Sequence, residues 1–90
     1  MLESSLSKSL KYLDKNRVAT VLDVSAGHPL SERLVELGFV AGEAIEIVHE
    51  APLSRDPIVV VCAGTRIALR RDEAELILIE EMPELKGVAP

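Results

Sequence analysis

Short runs rich in valine, isoleucine and leucine recur along this chain, and some of them alternate with polar residues, as β-strands do when their side chains point to opposite faces in turn. These runs predict five strands, over residues 17–24, 43–50, 58–63, 66–70 and 76–79. Five short strands close most simply into a barrel, because closure leaves no strand edge exposed. The pattern therefore predicts a mainly β fold, a small five-stranded β-barrel with one or two short helices inserted.

Three shorter segments have helical spacing instead. Leucines near the N-terminus recur at three- and four-residue intervals: Leu2, Leu6, Leu10 and Leu13. They predict one or two helical turns, firmest over residues 9–13, that either cover one end of the barrel or contact a partner. Residues 30–37 form a second apolar stripe that ends at Gly38, where a left-handed C′ glycine is expected. Residues 72–75 suit a single helical turn.

Turn-forming residues separate these elements. Asn16 tolerates the positive φ that a tight turn requires, and Gly42 marks the next turn. Two prolines make residues 51–57 a loop, because a strand inside a sheet does not easily hold proline. Gly64 and Thr65 are predicted to form the tight turn of a β-hairpin.

The predicted hairpin has two faces. Arginines stand at positions 66 and 70, so Ile67 and Leu69 must point inward. On the opposing strand we assign Ile58, Val60 and Cys62 to the core. This leaves an outward apolar set, Val59, Val61, Ala63 and Ala68, beside Val48. Either the protein's own helices cover this set, or it is an interface for a partner protein or a second copy.

Composition narrows the function classes. The 90 residues suffice for one domain, and the formal net charge is −5. Nucleic-acid binding and attachment to an anionic membrane both need clustered Lys and Arg, so neither is expected. Cys62 is the only cysteine, and no apolar run is long enough to span a bilayer. We therefore expect a cytoplasmic protein that does not insert into the membrane.

The chain has no clear catalytic motif. There is no G-x-S-x-G, P-loop or G-x-G-x-x-G, so an enzyme is not expected. Candidate metal ligands are His49, His28 and Asp56, but they lack the spacing of a structural zinc site. Cys62 follows three consecutive valines and is interpreted as a small buried hydrophobic residue. We expect no required cofactor, with weak Fe²⁺ or Zn²⁺ binding between His49 and nearby carboxylates as the alternative.

Several spaced motifs in one order resemble the FeoA family. They are R-L-x-E-L-G-F-x-x-G at 33–42, A-P at 51–52, D-P-I at 56–58, G-T-R-I-A-L-R at 64–70 and E-A at 73–74. The resemblance covers about residues 10–80, with residues 1–9 a flexible or partly helical segment and residues 81–90 a mobile tail. Asn16 stands where the family often has glycine. Val59 and Val61 replace residues that are often polar, which favours an interface there.

The resemblance implies an SH3-like barrel without catalysis of its own. It also implies a role in bacterial ferrous iron uptake, through contact with the cytoplasmic GTP-binding region of the transporter FeoB at the inner face of the membrane. The alternative is a metal-responsive regulator, because the same barrel resembles the C-terminal domain of DtxR-type repressors. Such repressors also need a helix-turn-helix domain, for which the residues before Arg17 are too few. A soluble iron or zinc carrier is a third hypothesis.

Overall fold

The computed structural model describes residues 6–81. Its strands are β1 (Leu6–Ser9), β2 (Val18–Val24), β3 (Ala44–Glu50), β4 (Ile58–Cys62), β5 (Thr65–Leu69) and β6 (Ile77–Glu81). The helices are α1 (Ser31–Leu37) and α2 (Arg71–Ala74), and a 3-10 turn covers Leu10–Tyr12. All strands belong to one antiparallel sheet in the order β1-β6-β2-β3-β4-β5. Among the described residues, no helix is long and apolar enough to cross a bilayer.

The prediction of a mainly β fold is confirmed. The predicted number of five strands and the predicted closure into a barrel are wrong. The sheet has six strands, and β1 and β5 form its two ends without pairing with each other. The additional strand, β1, pairs with β6 so that Ser7 lies opposite Glu80 and Ser9 opposite Leu78. Pairing with β6 satisfies the backbone of a serine-rich segment whose helix propensity is low.

The helix predicted over residues 9–13 is a single 3-10 turn. Ser9 begins this turn, and its Oγ accepts the backbone N–H of Lys11 at 3.2 Å. Leu10 and Leu13 are both buried, so this half of the leucine stripe covers the core as one alternative expected. Leu2 lies outside the described residues. Of the expected tail, only Glu81 is described, and it is the last residue of β6 rather than a mobile position.

The core is aliphatic and has one aromatic side chain. Its largest fully buried members are Phe39, Leu10, Leu13, Ile45, Ile47, Ile58, Ile77 and Ile79. Phe39 reaches the core because α1 ends at Gly38, whose φ of 119° lies in the region that favours glycine. The N–H groups of Gly38 and Phe39 then bond the carbonyls of Val35 and Leu34 at 3.0 and 3.2 Å. The expected C′ glycine is therefore confirmed.

The hairpin turn lies one residue earlier than predicted. Its two loop residues are Ala63 and Gly64, with φ of 54° and 78°, and Thr65 already pairs with Cys62 in the ladder. Positive φ at both positions matches the twist of the flanking strands in a two-residue hairpin. Asn16 also has a positive φ, 69°, as its turn requires.

Candidate docking face

The outward face of the β4–β5 hairpin contains the predicted interface residues. The assignment of faces is confirmed, since Ile58, Val60 and Cys62 are fully buried in the core. On the other face, Val59 and Val61 are half-buried and Ala63 and Ala68 are exposed. Val48 on the adjacent strand is also half-buried.

Polar residues interleave with this apolar set. Val61 lies opposite Glu46 on β3 and Arg66 on β5. Residues directly opposite each other in an antiparallel pair share a face, so an acidic and a basic side chain flank Val61. We define the hairpin face as the outward set Val48, Val59, Val61, Ala63 and Ala68. The apolar centre of this face is bordered by charge, as the surface of a docking site commonly is.

A β-bulge in β3 adds a histidine to the hairpin face. The pairing register shifts between Ile47 and His49, so His49 lies opposite Val59. A bulge sets two residues of one strand against one residue of its partner, here Val48 and His49 against Val59. Strict alternation along β3 would have placed His49 on the inward face. No residue in the segment marks the bulge, so the sequence does not indicate it.

A shallow groove of about 400 Å³ borders the hairpin face. Its lining consists of Val18, Glu43, Ala44, Ile45, Glu46, Val61, Ala63 and Gly64. Val18 extends the apolar surface onto β2, where it lies opposite Glu46 and is 49% exposed. The two charged residues that line this groove, Glu43 and Glu46, are both acidic. The groove therefore fits a partner surface that combines aliphatic and basic side chains.

Cys62 is buried beneath the hairpin face. Its Sγ donates to the carbonyl oxygen of Gly38 at 3.6 Å, which joins the end of α1 to β4. Burial raises the pKa of the Cys62 thiol, and the nearby Glu43 carboxylate raises it further. The thiol therefore stays protonated at neutral pH, which confirms the interpretation of Cys62 as a buried small hydrophobe.

The three candidate metal ligands lie on different elements. His28 precedes α1, and its Nδ1 accepts the N–H of Leu30 at 3.0 Å. Asp56 lies in the loop between β3 and β4, and its Oδ1 accepts the N–H of Arg71 at 3.0 Å. His49 lies beside Val59 on the sheet. Within residues 6–81, no three His, Cys, Asp or Glu side chains come together as a metal-binding group.

Arg71 makes a network that the sequence did not indicate. Its Nη1 donates to the carbonyl of Lys11 at 2.7 Å, and its Nε donates to the carbonyl of Arg55 at 2.8 Å. Its Nη2 donates to Glu50 Oε2 at 2.9 Å. A single side chain thus joins α2 to the 3-10 turn, to the end of β3 and to the β3–β4 loop.

Glu81 makes a second set of ion pairs that the sequence did not indicate. It is only 5% exposed, and its two carboxylate oxygens bind Lys8 Nζ at 2.7 Å and Arg17 Nη2 at 2.9 Å. A buried carboxylate is tolerated where cations and hydrogen bonds compensate its charge. The triad ties β6 to β1 and to the residue that precedes β2.

The chain matches the FeoA domain family over residues 8–81. Among curated proteins, it is 36% identical over 62 residues to an Fe(2+) transport protein A/Fe(2+) transporter FeoB fusion protein of Porphyromonas gingivalis. The alignment covers 69% of this chain and 7% of that protein, so the chain spans only a small part of its relative.

Solved structures of FeoA proteins share the fold. Iron(II) transport protein A of Clostridium thermocellum is 41% identical, with a TM-score of 0.74, over 83% of this chain and 46% of that one. FeoA of Stenotrophomonas maltophilia, complexed with zinc and described as an SH3 domain protein, is 34% identical. Its TM-score is 0.72, and the match covers 81% of this chain and 94% of that one.

IdeR of T. acidophilum has the same fold at lower identity. It is 18% identical, with a TM-score of 0.70, over 90% of this chain and 37% of that one. At this identity the likeness concerns the fold alone. The SH3-like part of the fold prediction is confirmed by the FeoA structures. By its family match and by its structural relatives, the chain belongs to the FeoA family, whose members are associated with ferrous iron transport.

Proposed function

We propose that this protein is a non-catalytic accessory or regulatory protein of bacterial ferrous iron uptake, and that it acts by contact with a FeoB transporter. The observation that carries the proposal is the relative in which transport protein A and transporter FeoB are one fusion protein. A fusion gives two domains a high effective concentration for each other, which favours pairs that work together.

The chemistry of the described residues supports contact rather than catalysis. The one thiol, Cys62, is buried and hydrogen-bonded to the carbonyl of Gly38. A reactive cysteine instead needs partial exposure and a lowered pKa, whereas the pKa of Cys62 is raised. The hairpin face has the apolar centre and the charged border that a transient protein interface requires.

We infer that the partner site is the cytoplasmic GTP-binding region of FeoB. That contact holds the small domain at the inner face of the membrane, without insertion of its own. The hairpin face is the proposed contact surface, with Val61 at its centre and the adjacent groove receiving basic and aliphatic side chains.

Uptake measurements in a deletion strain test the proposal. We expect loss of the gene to lower Fe(II) uptake, and the wild-type gene to restore it. Val61→Glu is expected not to restore uptake, whereas Leu78→Glu restores it, because Leu78 is exposed on β6 away from the hairpin. Normal uptake in the clean deletion strain would remove the proposal. Full restoration of Fe(II) uptake by a folded Val61→Glu protein would show that the hairpin face is not the contact surface.

A metal-responsive module is the second candidate. It is favoured by the zinc complex of the Stenotrophomonas maltophilia relative, since a fold that accepts zinc there offers a surface for it here. His49 is the candidate ligand in this function, because it is exposed on the sheet, whereas His28 Nδ1 and Asp56 Oδ1 already accept backbone N–H groups. In this function, weak Fe²⁺ or Zn²⁺ binding beside Val59 changes the charge of the hairpin face.

A further inference from the structure

The β3–β4 loop presents a large apolar side chain far from the hairpin turn. Leu53 in this loop is 99% exposed, and Tyr12 at the end of the 3-10 turn is 63% exposed. A groove of about 380 Å³ lies between the two segments. Its lining consists of Lys11, Tyr12, Leu13, Asp14, Ser54, Arg55 and Arg71, and we call it the loop groove.

Hydrogen bonds fix both walls of the loop groove. Arg71 bonds the carbonyl of Lys11 on one wall and the carbonyl of Arg55 on the other. Within the loop, the N–H of Arg55 donates to the carbonyl of Ala51 at 2.9 Å, and Ser54 Oγ donates to the carbonyl of Asp56 at 3.0 Å. These bonds order the loop backbone next to Leu53, whose side chain remains exposed. A surface that is ordered before binding loses less entropy when a partner binds.

The charge of the loop groove is opposite to that of the whole protein. Three cations, Lys11, Arg55 and Arg71, and one carboxylate, Asp14, line it, while the protein as a whole has a net charge of −5. Arg71 is already bound to Glu50. Lys11 and Arg55 have long ion pairs of 3.4 Å, to Glu75 and Glu50.

Lys11 and Arg55 can exchange these partners at little cost. One side chain of each pair is more than half exposed, Glu75 at 58% and Arg55 at 64%, so solvent screens both pairs. When Arg55 leaves, Glu50 keeps its shorter ion pair with Arg71. Lys11 Nζ also lies 5.4 Å from the centre of the Tyr12 ring, so cation and ring form one surface. Tyrosine and arginine are enriched among the residues that dominate binding energy at interfaces.

We propose that the loop groove is a second protein-docking surface and that it binds an acidic segment of the same transporter. The segment presents carboxylates to Lys11 and Arg55 and an apolar side chain to Tyr12 in the groove. The same apolar contact extends to Leu53, which precedes the lining residue Ser54. This inference rests on the proposed function, because it names a second contact with the proposed partner. The loop groove differs in charge from the groove beside the hairpin face, whose charged lining residues are Glu43 and Glu46.

Affinity measurements with four proteins test the inference. The probe is the purified cytoplasmic GTP-binding region of the FeoB transporter from the same organism, immobilised for interferometry. We expect Leu53→Glu to weaken binding at least tenfold and Arg55→Glu about threefold or more, by charge repulsion from the acidic segment. Val35→Glu is the matched control, since Val35 is 44% exposed on α1 outside both docking surfaces, and we expect its affinity to stay within twofold of wild type. Leu53 touches little of the protein, so the fold of Leu53→Glu, checked by amide NMR, is expected to be intact.

The outcomes separate the inference from the proposed function. Wild-type affinity in the folded Leu53→Glu protein would overturn the inference and leave the proposed function standing. Absence of binding by the wild type would remove the proposed function, and the inference with it. Sedimentation velocity distinguishes another occupant: a wild-type dimer that Leu53→Glu abolishes, with unchanged transporter binding, would assign the loop groove to a second copy and overturn the inference.

Discussion

Arg71 Nη2 and Glu50 Oε2 lie 2.9 Å apart, and their side chains are only 19% and 16% exposed. The pair joins the start of α2 to the end of β3, two elements that are 21 residues apart in sequence. Because Arg71 also binds two backbone carbonyls, the guanidinium has a partner for each of its three nitrogens. This geometry makes Arg71 a structural residue for one whole end of the sheet.

Arg71→Ala is expected to lower the free energy of unfolding by about 3 kcal/mol. The change removes three hydrogen bonds of a charged group and leaves the Glu50 carboxylate without its shorter ion pair. Arg71→Lys is expected to cost about 2 kcal/mol, because an ammonium cannot reproduce the planar geometry. Urea unfolding measures both. The control is Arg66→Ala, at an exposed residue of β5, and its stability is expected to stay within about 0.5 kcal/mol of wild type. Equal stability of the Arg71 and Arg66 variants would contradict this role.

Glu81→Gln is expected to lower the free energy of unfolding by about 2 kcal/mol. The amide removes the charge that Lys8 and Arg17 share, at a residue that is 5% exposed. Glu80→Gln is the matched control one position away, on the outward face of the same strand, and is expected to be nearly neutral. Thermal unfolding of the two variants at one pH measures the difference. If the two variants have the same unfolding temperature, the Lys8–Glu81–Arg17 triad does not stabilise the sheet.

Cys62 is expected to make stability fall at alkaline pH. Burial raises the pKa of its thiol above the ordinary value of 9.0, with a further contribution from Glu43. The native state then keeps a proton that the unfolded chain releases, so the contribution is complete below the unfolded pKa and is lost as pH rises through the folded one. Urea unfolding from pH 7 to 10.5 measures this for wild type and Cys62→Ala. We expect the wild-type curve to fall more steeply above pH 9. Parallel curves would contradict the raised pKa.

Metal binding by the described residues is expected to be weak. His28 Nδ1 and Asp56 Oδ1 already accept backbone N–H groups at 3.0 Å, so a metal must displace those bonds to use these atoms. Anaerobic calorimetry with Fe(II), and separately with Zn(II), measures the affinity. We expect dissociation constants weaker than micromolar and a smaller heat for His49→Ala. Binding of one ion per chain at micromolar or better affinity would instead support the carrier hypothesis.

Local features of the fold could be predicted from the sequence, because they depend on neighbouring residues. Alternation divided β4 into two sets of residues, and the set assigned to the core, Ile58, Val60 and Cys62, is fully buried. A glycine after an apolar stripe was sufficient to locate the end of α1 at Gly38. The outward direction of Val59 and Val61 followed from the same alternation. The residues that make up the hairpin face could therefore be predicted from the sequence.

Long-range features could not be predicted in this way. The partners of Arg71 lie 15 to 60 residues away, and no local pattern distinguishes Arg71 from Arg70. The pairing of β1 with β6 joins the two ends of the described chain, and a serine-rich segment gives no sign of it. The bulge that brings His49 opposite Val59 is likewise set by the pairing of two strands. The loop groove depends on such long-range contacts, so the sequence alone could not predict it.

The affinity of Val61→Glu for the cytoplasmic GTP-binding region of FeoB tests the central claim most directly. Val61 lies between Glu46 and Arg66 at the centre of the hairpin face, so a carboxylate there adds charge where apolar contact is required. Leu78→Glu, at a residue that is 40% exposed on β6, is the control. We predict that Val61→Glu folds and loses binding, while Leu78→Glu binds as wild type does. Wild-type affinity in a folded Val61→Glu protein would contradict the claim that this face binds the transporter.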